Sequence, residues 1–277
     1  MSPFFPWLSA GLLGALLFVS GCSKALDRAS TEVVEQTYPI DPAARLKIRN
    51  LRGSISIHGA DTQELKLRAT KTIGSEAQLR DITISVAAET GSVSISTNIL
   101  PQKRRSPSGG AGTVDYELVV PRTINIARLE LEDGSVLIEG MEDEDVHANV
   151  VDGQVTIRKC CANIHVALAN GDLDLSLPDC RQHSFLTDAQ LTHGKARVSI
   201  PRGASFHARA QTMTGKILND FADIVDVNGR SLQKIDISVG PDAGSQLVVR
   251  VTTGDIILAA VGPAVSGPQS ASVAGSQ

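Results

Sequence analysis

Eight glycines recur along this chain at multiples of one short unit, and that recurrence limits the fold more than any other feature. Gly53, Gly91, Gly134, Gly153, Gly171, Gly194, Gly215 and Gly254 are separated by 38, 43, 19, 18, 23, 21 and 39 residues, a unit of about 19 to 20 residues that is skipped once in three intervals. Counted from each Gly, positions −7, −5, −3, +2 and +4 are apolar in 36 of 40 cases, where the 42% apolar content of the chain would give about 17. The alternating positions −6, −4, +1 and +3 are apolar in only 6 of 32. Strand side chains point to opposite faces in turn, so each unit reads as two short strands joined at a Gly corner, one face buried and the other wet. The residue before the corner is Arg52, Thr90, Asp133, Asp152, Asn170, His193, Thr214 or Thr253, never a large apolar side chain.

A unit this small cannot bury its own apolar face. Units stacked at about 4.8 Å bury one continuous column and pair each strand with the next coil. The expected fold is therefore all-β, a single-stranded parallel β-helix (β-solenoid) with coils of about 19 to 20 residues. From Ile40 to Val261 there is room for about 11 such coils, a rod roughly 50 Å long. An antiparallel β-sandwich also repeats strands every 8 to 12 residues, but it gives no reason for the same five columns to stay apolar across every Gly.

The residues that carry the period also carry a resemblance. Leu46-Lys47-Ile48-Arg49-Asn50-Leu51-Arg52-Gly53-Ser54-Ile55-Ser56-Ile57-His58-Gly59 opens it. Leu118-Val119-Val120-Pro121 before Gly134-Ser135-Val136, and Val198-Ser199-Ile200-Pro201 before Gly215, continue it. Gly240-Pro241-Asp242-Ala243-Gly244, followed by Val249-Arg250-Val251-Thr252-Thr253-Gly254-Asp255-Ile256, closes it. Over residues 44–260 the chain resembles a bacterial family of unknown function named the putative adhesin domain. That resemblance implies an extracytoplasmic β-solenoid, surface display and adhesion. Its motifs are structural and name no reaction.

The N-terminus reads as an address. Phe4 to Val19 is an uncharged apolar run of about 16 residues, too short for the roughly 20 of a spanning helix and laid out like a secretory signal. It ends in Val19-Ser20-Gly21-Cys22, which resembles the bacterial lipobox, although no Lys or Arg precedes the run. The resemblance implies a signal peptide over 1–21, lipidation of Cys22, and an outer-membrane destination in a Gram-negative envelope, since Ser23 rather than Asp follows the Cys. Residues 22–39 are expected to be the lipidated N-terminus and tether, 40–261 the solenoid with a flexible loop over 101–113, and 262–277 a disordered Gly/Ser/Ala/Pro/Gln tail. The basic triplet Lys103-Arg104-Arg105 reads as part of the solvated loop.

A formal net charge of −4 and 20% charged residues exclude a general nucleic-acid binder. The richest chemistry is an acidic stretch of Glu130, Glu132, Asp133, Glu139, Glu142, Asp143, Glu144 and Asp145. Paired carboxylates hold Ca²⁺ or serve as general acid and base, but an acidic turn is most often simply solvated. Sugar rings are commonly held by aromatics, and after Cys22 only Tyr38, Tyr116, Phe185, Phe206 and Phe221 remain, with no Trp. His147 and His165 share the −6 column of adjacent coils, which sets them about 4.8 Å apart on the wet face; Asp188 and Arg209 follow in that column. No metal site, cofactor or catalytic residue is assigned.

If Cys22 is lipidated, Cys160, Cys161 and Cys180 remain. Cys161 and Cys180 lie 19 residues apart, close to one coil, which makes them the candidate disulfide; three reduced thiols, or a redox or metal role, are the alternatives. Three functional readings follow. The first is a lipid-anchored, non-enzymatic binding, adhesion or scaffold module, with the membrane and an envelope protein or glycan as partners. The second is a glycan-active lyase or hydrolase on a β-helix. The third is a structural or envelope-stress-linked lipoprotein with protein partners only.

Overall fold

The computed structural model describes residues 30–73, 81–99, 112–177, 184–221, 233–240 and 244–262. Cys22, Cys180, most of the loop expected over 101–113 and nearly all of the expected tail lie outside them. The described residues form one fifteen-stranded sheet. In chain order the strands are β1 (Ser30–Pro39), β2 (Arg45–Ala60), β3 (Glu64–Ile73), β4 (Ile82–Glu89), β5 (Ser92–Ile99), β6 (Thr113–Pro121), β7 (Asn125–Glu139) and β8 (Glu142–Arg158). They continue with β9 (Cys161–Ser176), β10 (Leu186–Pro201), β11 (Phe206–Thr214), β12 (Ile217–Asn219), β13 (Lys234–Val239), β14 (Ser245–Thr253) and β15 (Ile256–Val261).

The centre of the molecule follows the sequence period. Strands β2, β7, β8, β9 and β10 are long, bend at their glycines and pair in parallel, with Gly53 on Gly134, Gly134 on Gly153, Gly153 on Gly171 and Gly171 on Gly194. The −7, −5, −3, +2 and +4 side chains point inward as one core, with Val146, Ala148, Val150, Val155 and Ile157 of β8 all buried; in β7 a register shift puts Ile126 in the first column in place of Ala127. Lys159, at φ 54°, turns the chain from β8 into β9.

The corners require glycine for two reasons. Gly153 holds φ at +144°, and a Cβ there would sit 1.7 Å from the carbonyl oxygen of Gly134. That carbonyl occupies the space a side chain would need, and the same contact repeats at the neighbouring corners.

The all-β class holds, while a purely parallel helix with coils in sequence order does not. The sheet is mixed: β1–β3, β3–β6, β4–β5 and β11–β13 pair antiparallel. Two layers are filled out of order. At one end β5 and β6 lie against the two halves of β2. At the other, β14 and β15 lie between β10 and the pair β11 and β12, so that Gly254 stacks on Gly194 and Gly215 on Gly254. Parallel stacking therefore covers eight layers among the described residues instead of about eleven.

The remaining strands cover the ends. A solenoid of parallel coils leaves an open row of N–H and C=O groups at each end; antiparallel β3, β4 and β13 pair with β6, β5 and β11, while β12 has no such cover among the described residues. β1 belongs to this cover, so residues 30–39, expected within the tether, are a strand of the sheet. Gly91 is not a corner either. It sits in the two-residue turn between β4 and β5, and nothing lies within 4 Å of a Cβ placed on it.

Candidate functional site

Between the core columns, the −4 and −2 side chains face outward, and parallel pairing lines them up across the sheet. On β7 to β10 these are Glu130 and Glu132, Asn149 and Val151, Ala167 and Ala169, then Gln190 and Thr192. Arg250 and Thr252 of β14 extend the rows. Together they line a groove of about 670 Å³ that crosses the strands. Its floor is lowest at Ala167 and Ala169, where two methyl groups stand between taller neighbours. Val151 at 48% and Met213 at 67% exposure are the large apolar side chains on its walls.

The acidic stretch borders this groove but does not converge on it. Successive coils set a basic or amide side chain against nearly every carboxylate. Glu130 accepts from Arg128 Nε at 2.6 Å and lies 3.8 Å from Arg49 Nε; Glu132 is 3.9 Å from Arg49, and Asp133 is 3.9 Å from Arg52. Glu139 accepts from Lys159 Nζ at 2.6 Å and Arg158 Nη2 at 3.1 Å, and these bonds, led by Lys159, hold its carboxyl below the usual carboxylate range. Glu142 faces Arg122, Glu144 accepts from Asn125, and Asp145 accepts from Asn163. Among the described side chains of this stretch, each carboxylate has a basic or amide neighbour of its own. Among the described residues no three or more His, Cys, Asp or Glu side chains converge as metal ligands.

The histidine column is present, with one correction. The rings of His147 and His165 stack with centroids 4.6 Å apart and 8° between their planes, which leaves His165 half-buried rather than fully exposed. Asp188 follows beside His165, but Val248 of β14 separates Asp188 from Arg209 because that strand enters out of sequence. Asp188 accepts from Arg250 at 2.9 Å, and Arg209 turns away to Asp236 of β13.

Aromatic side chains serve the core. Tyr116 and Phe206 are buried, Phe221 packs edge-on against Phe206 at 5.1 Å, and Tyr116 shares a 2.7 Å hydrogen bond with Thr97. Burial pushes the Tyr116 hydroxyl up to about 12. Cys161 is disulfide-bonded, and Cys160 is a buried free thiol whose pKa is raised by that burial. Cys180, the partner expected for Cys161, lies outside the described residues.

Two polar residues that the repeat leaves unexplained cap the line of corner carbonyls. Asn50, at the −3 position of Gly53, is fully buried; its Nδ2 donates to the oxygens of Val114 at 2.7 Å and Arg52 at 3.1 Å, and its Oδ1 accepts from Leu51 N. Thr212, at −3 of Gly215, donates from Oγ1 to the oxygen of Gly254 at 2.8 Å. The signal in the sequence was the exception itself: both interrupt an apolar column, and both do so at the end corners.

Residues 36–259 match the family described as Toastrack DUF4097. Among solved structures, a putative cell adhesion protein from Clostridium sporogenes is 13% identical at a TM-score of 0.45, covering 83% of this chain and all of its own. A putative adhesin from Bacteroides fragilis is 8% identical at a TM-score of 0.30, covering 82% of this chain and 97% of its own. No curated protein matches the chain.

Proposed function

The chain belongs to the Toastrack DUF4097 family, and from that premise we propose that it is a non-enzymatic binding or scaffold module, held at the bacterial envelope by a lipid on Cys22. The observation that carries the non-enzymatic part is the pairing of the carboxylates. An acid and a base that act on a glycan need different proton affinities and a shared substrate between them. Here Glu130 is clamped by Arg128 and Arg49, Asp133 faces Arg52, and Glu139 is held by Lys159 and Arg158. What the groove presents instead is amide, hydroxyl and small apolar side chains between the charged groups of Arg49, Glu130 and Glu132 and that of Arg250, groups suited to holding a partner by contact.

The envelope address rests on the sequence: the apolar run Phe4 to Val19, the lipobox-like Val19-Ser20-Gly21-Cys22, and the polar residues before β1. A lipid on Cys22 would hold the sheet a short tether away from the membrane, within reach of envelope proteins or glycans.

Incubating the purified full chain with isolated envelope polysaccharide tests the reading. The expected result is no new reducing ends and no unsaturated sugar products, with recovery of an envelope component from cells carrying the anchored protein. Turnover that disappears in Glu132→Gln would overturn it.

A further inference from the structure

Strand β2 carries charge of one sign. Its 16 residues hold Arg45, Lys47, Arg49 and Arg52 and no Asp or Glu, in a chain whose formal net charge is −4. Alternation turns the first three to the same outer face, about 7 Å apart along the strand, and all three are exposed. β7 adds a fourth cation: its register against β2 shifts between Arg45 and Lys47, and the pairing that resumes sets Arg128 beside Lys47. Lys47 therefore has Arg45 and Arg49 before and after it on its own strand and Arg128 at its side. Glu130 is the carboxylate in their midst, and it is taken by Arg128 and Arg49. Among the described residues no carboxylate forms an ion pair with Arg45 or Lys47.

Like charges crowded on neighbouring strands raise the free energy of an empty face. Other rows of this sheet alternate in sign, with Arg68 between Glu35 and Glu117 and Arg209 on Asp236. The row through Lys47 does not, and a bound anion relieves it. On the other side of β2 the neighbours are all serine. Ser92, Ser94 and Ser96 of β5 lie in register beside Arg45, Lys47 and Arg49, and no described side chain engages their hydroxyls. Beyond them β4 presents Ser85 and Ala87, with Glu89 at the far corner beside Ser92. The face is a straight file of cations with a file of free hydroxyls about 4.8 Å to one side. We propose that it binds a linear acidic polysaccharide lying along β2, a partner class that rests on the binding-module reading, with acidic groups on Arg45, Lys47 and Arg49 and sugar hydroxyls on the serines.

The arrangement suits a polymer better than a surface. Anionic headgroups are met by basic residues spread over a plane, whereas these cations follow one strand. Single-stranded nucleic acid is held by aromatic stacking as well as by charge, and β2, β4, β5 and β7 carry no Phe, Tyr or Trp. A charged sugar polymer needs donors for its acidic groups and hydroxyl partners between them, which guanidinium, ammonium and serine supply without an aromatic platform.

Fluorescence anisotropy of a labelled oligogalacturonate, titrated with the full chain in detergent solution, tests the site. Binding is expected at low salt and should weaken as salt is raised. Lys47→Glu should weaken it at least about tenfold, and Ser94→Ala about threefold. Lys234→Glu makes the same change of net charge on β13, at the far end of the sheet, and should leave affinity within about twofold. That comparison separates the file on β2 from the charge of the whole protein. Lys47→Glu should also raise the thermal midpoint, because it places a carboxylate among guanidinium groups, so its loss of binding is not a loss of fold. A parent that fails to bind at about 1 mM, equal losses in Lys47→Glu and Lys234→Glu, or a midpoint lowered by Lys47→Glu overturns the proposal. So does tighter binding to phosphatidylglycerol vesicles than to oligogalacturonate, which would make the partner a membrane. None of those results touches the non-enzymatic reading, which stands or falls on turnover of envelope polysaccharide.

Discussion

Four residues break the apolar columns, and their fates differ. Asn50 and Thr212 are satisfied at the end corners, whereas the buried hydroxyl of Thr187 and the amide nitrogen of Asn219 find no hydrogen-bond partner among the described residues. A buried donor without a partner loses its hydration for nothing in return. Thr187→Val, which keeps the shape and removes the hydroxyl, is therefore expected to raise stability by about 1 kcal/mol in chemical denaturation; a clear loss would mean that the hydroxyl has a partner. The opposite change applies to the columns themselves. Leu173 is 1% exposed while its neighbour Asp172 faces solvent. Leu173→Asp should lower stability by at least about 3 kcal/mol, and a variant that melts like the parent would show the inward register to be wrong. At this scale the sequence was almost fully legible, because period-two alternation reports directly which face of a strand is buried.

Elements were legible where one strand pairs with the next and obscure where it does not. The corner at Gly153 and the turn at Gly91 look alike in sequence, since both precede an apolar +2 and +4 pair, yet only Gly153 has a positive φ and a carbonyl pressed against it. Gly153→Ala should cost more than about 3 kcal/mol and Gly91→Ala less than about 1 kcal/mol, measured by the shift in denaturation midpoint. Equal effects at the two sites would contradict the stacked-carbonyl account. The cysteines belong to this scale too. Non-reducing peptide mapping, with thiols blocked at lysis, should recover Cys161 linked to Cys180 across a loop of about 20 residues, for which chain entropy gives about 3 kcal/mol. Cys160 should stay unmodified until the protein is unfolded, because it is buried and its thiol is held protonated. Recovery of Cys180 as a blocked thiol would remove that pairing.

The period of the chain revealed that layers stack, but not their order. Local alternation says which side of a strand is buried, whereas the insertion of β5 and β6 beside β2, and of β14 and β15 beside β10, depends on pairing between segments some 40 to 60 residues apart. The antiparallel covers were hidden for the same reason: β1, β3, β4 and β13 alternate much as corner strands do. The groove was hidden in the sequence because its rows exist only across strands, and it is complete only once β14 has taken its place next to β10. In the same way the acidic stretch looked like a cluster along the chain, while most of the side chains that pair with it come from neighbouring layers.

As a whole, the molecule is proposed to be an envelope module whose work is contact and whose attachment is a lipid on Cys22. Membrane fractionation of cells expressing the parent and Cys22→Ser, read together with the intact mass of the mature protein, tests that claim most directly. The account predicts a parent that sediments with membranes and begins at an acylated Cys22, and a Cys22→Ser form that appears in the soluble fraction, still folded. A Cys22→Ser protein that remains with the membranes, or a mature parent without lipid at that residue, would contradict it.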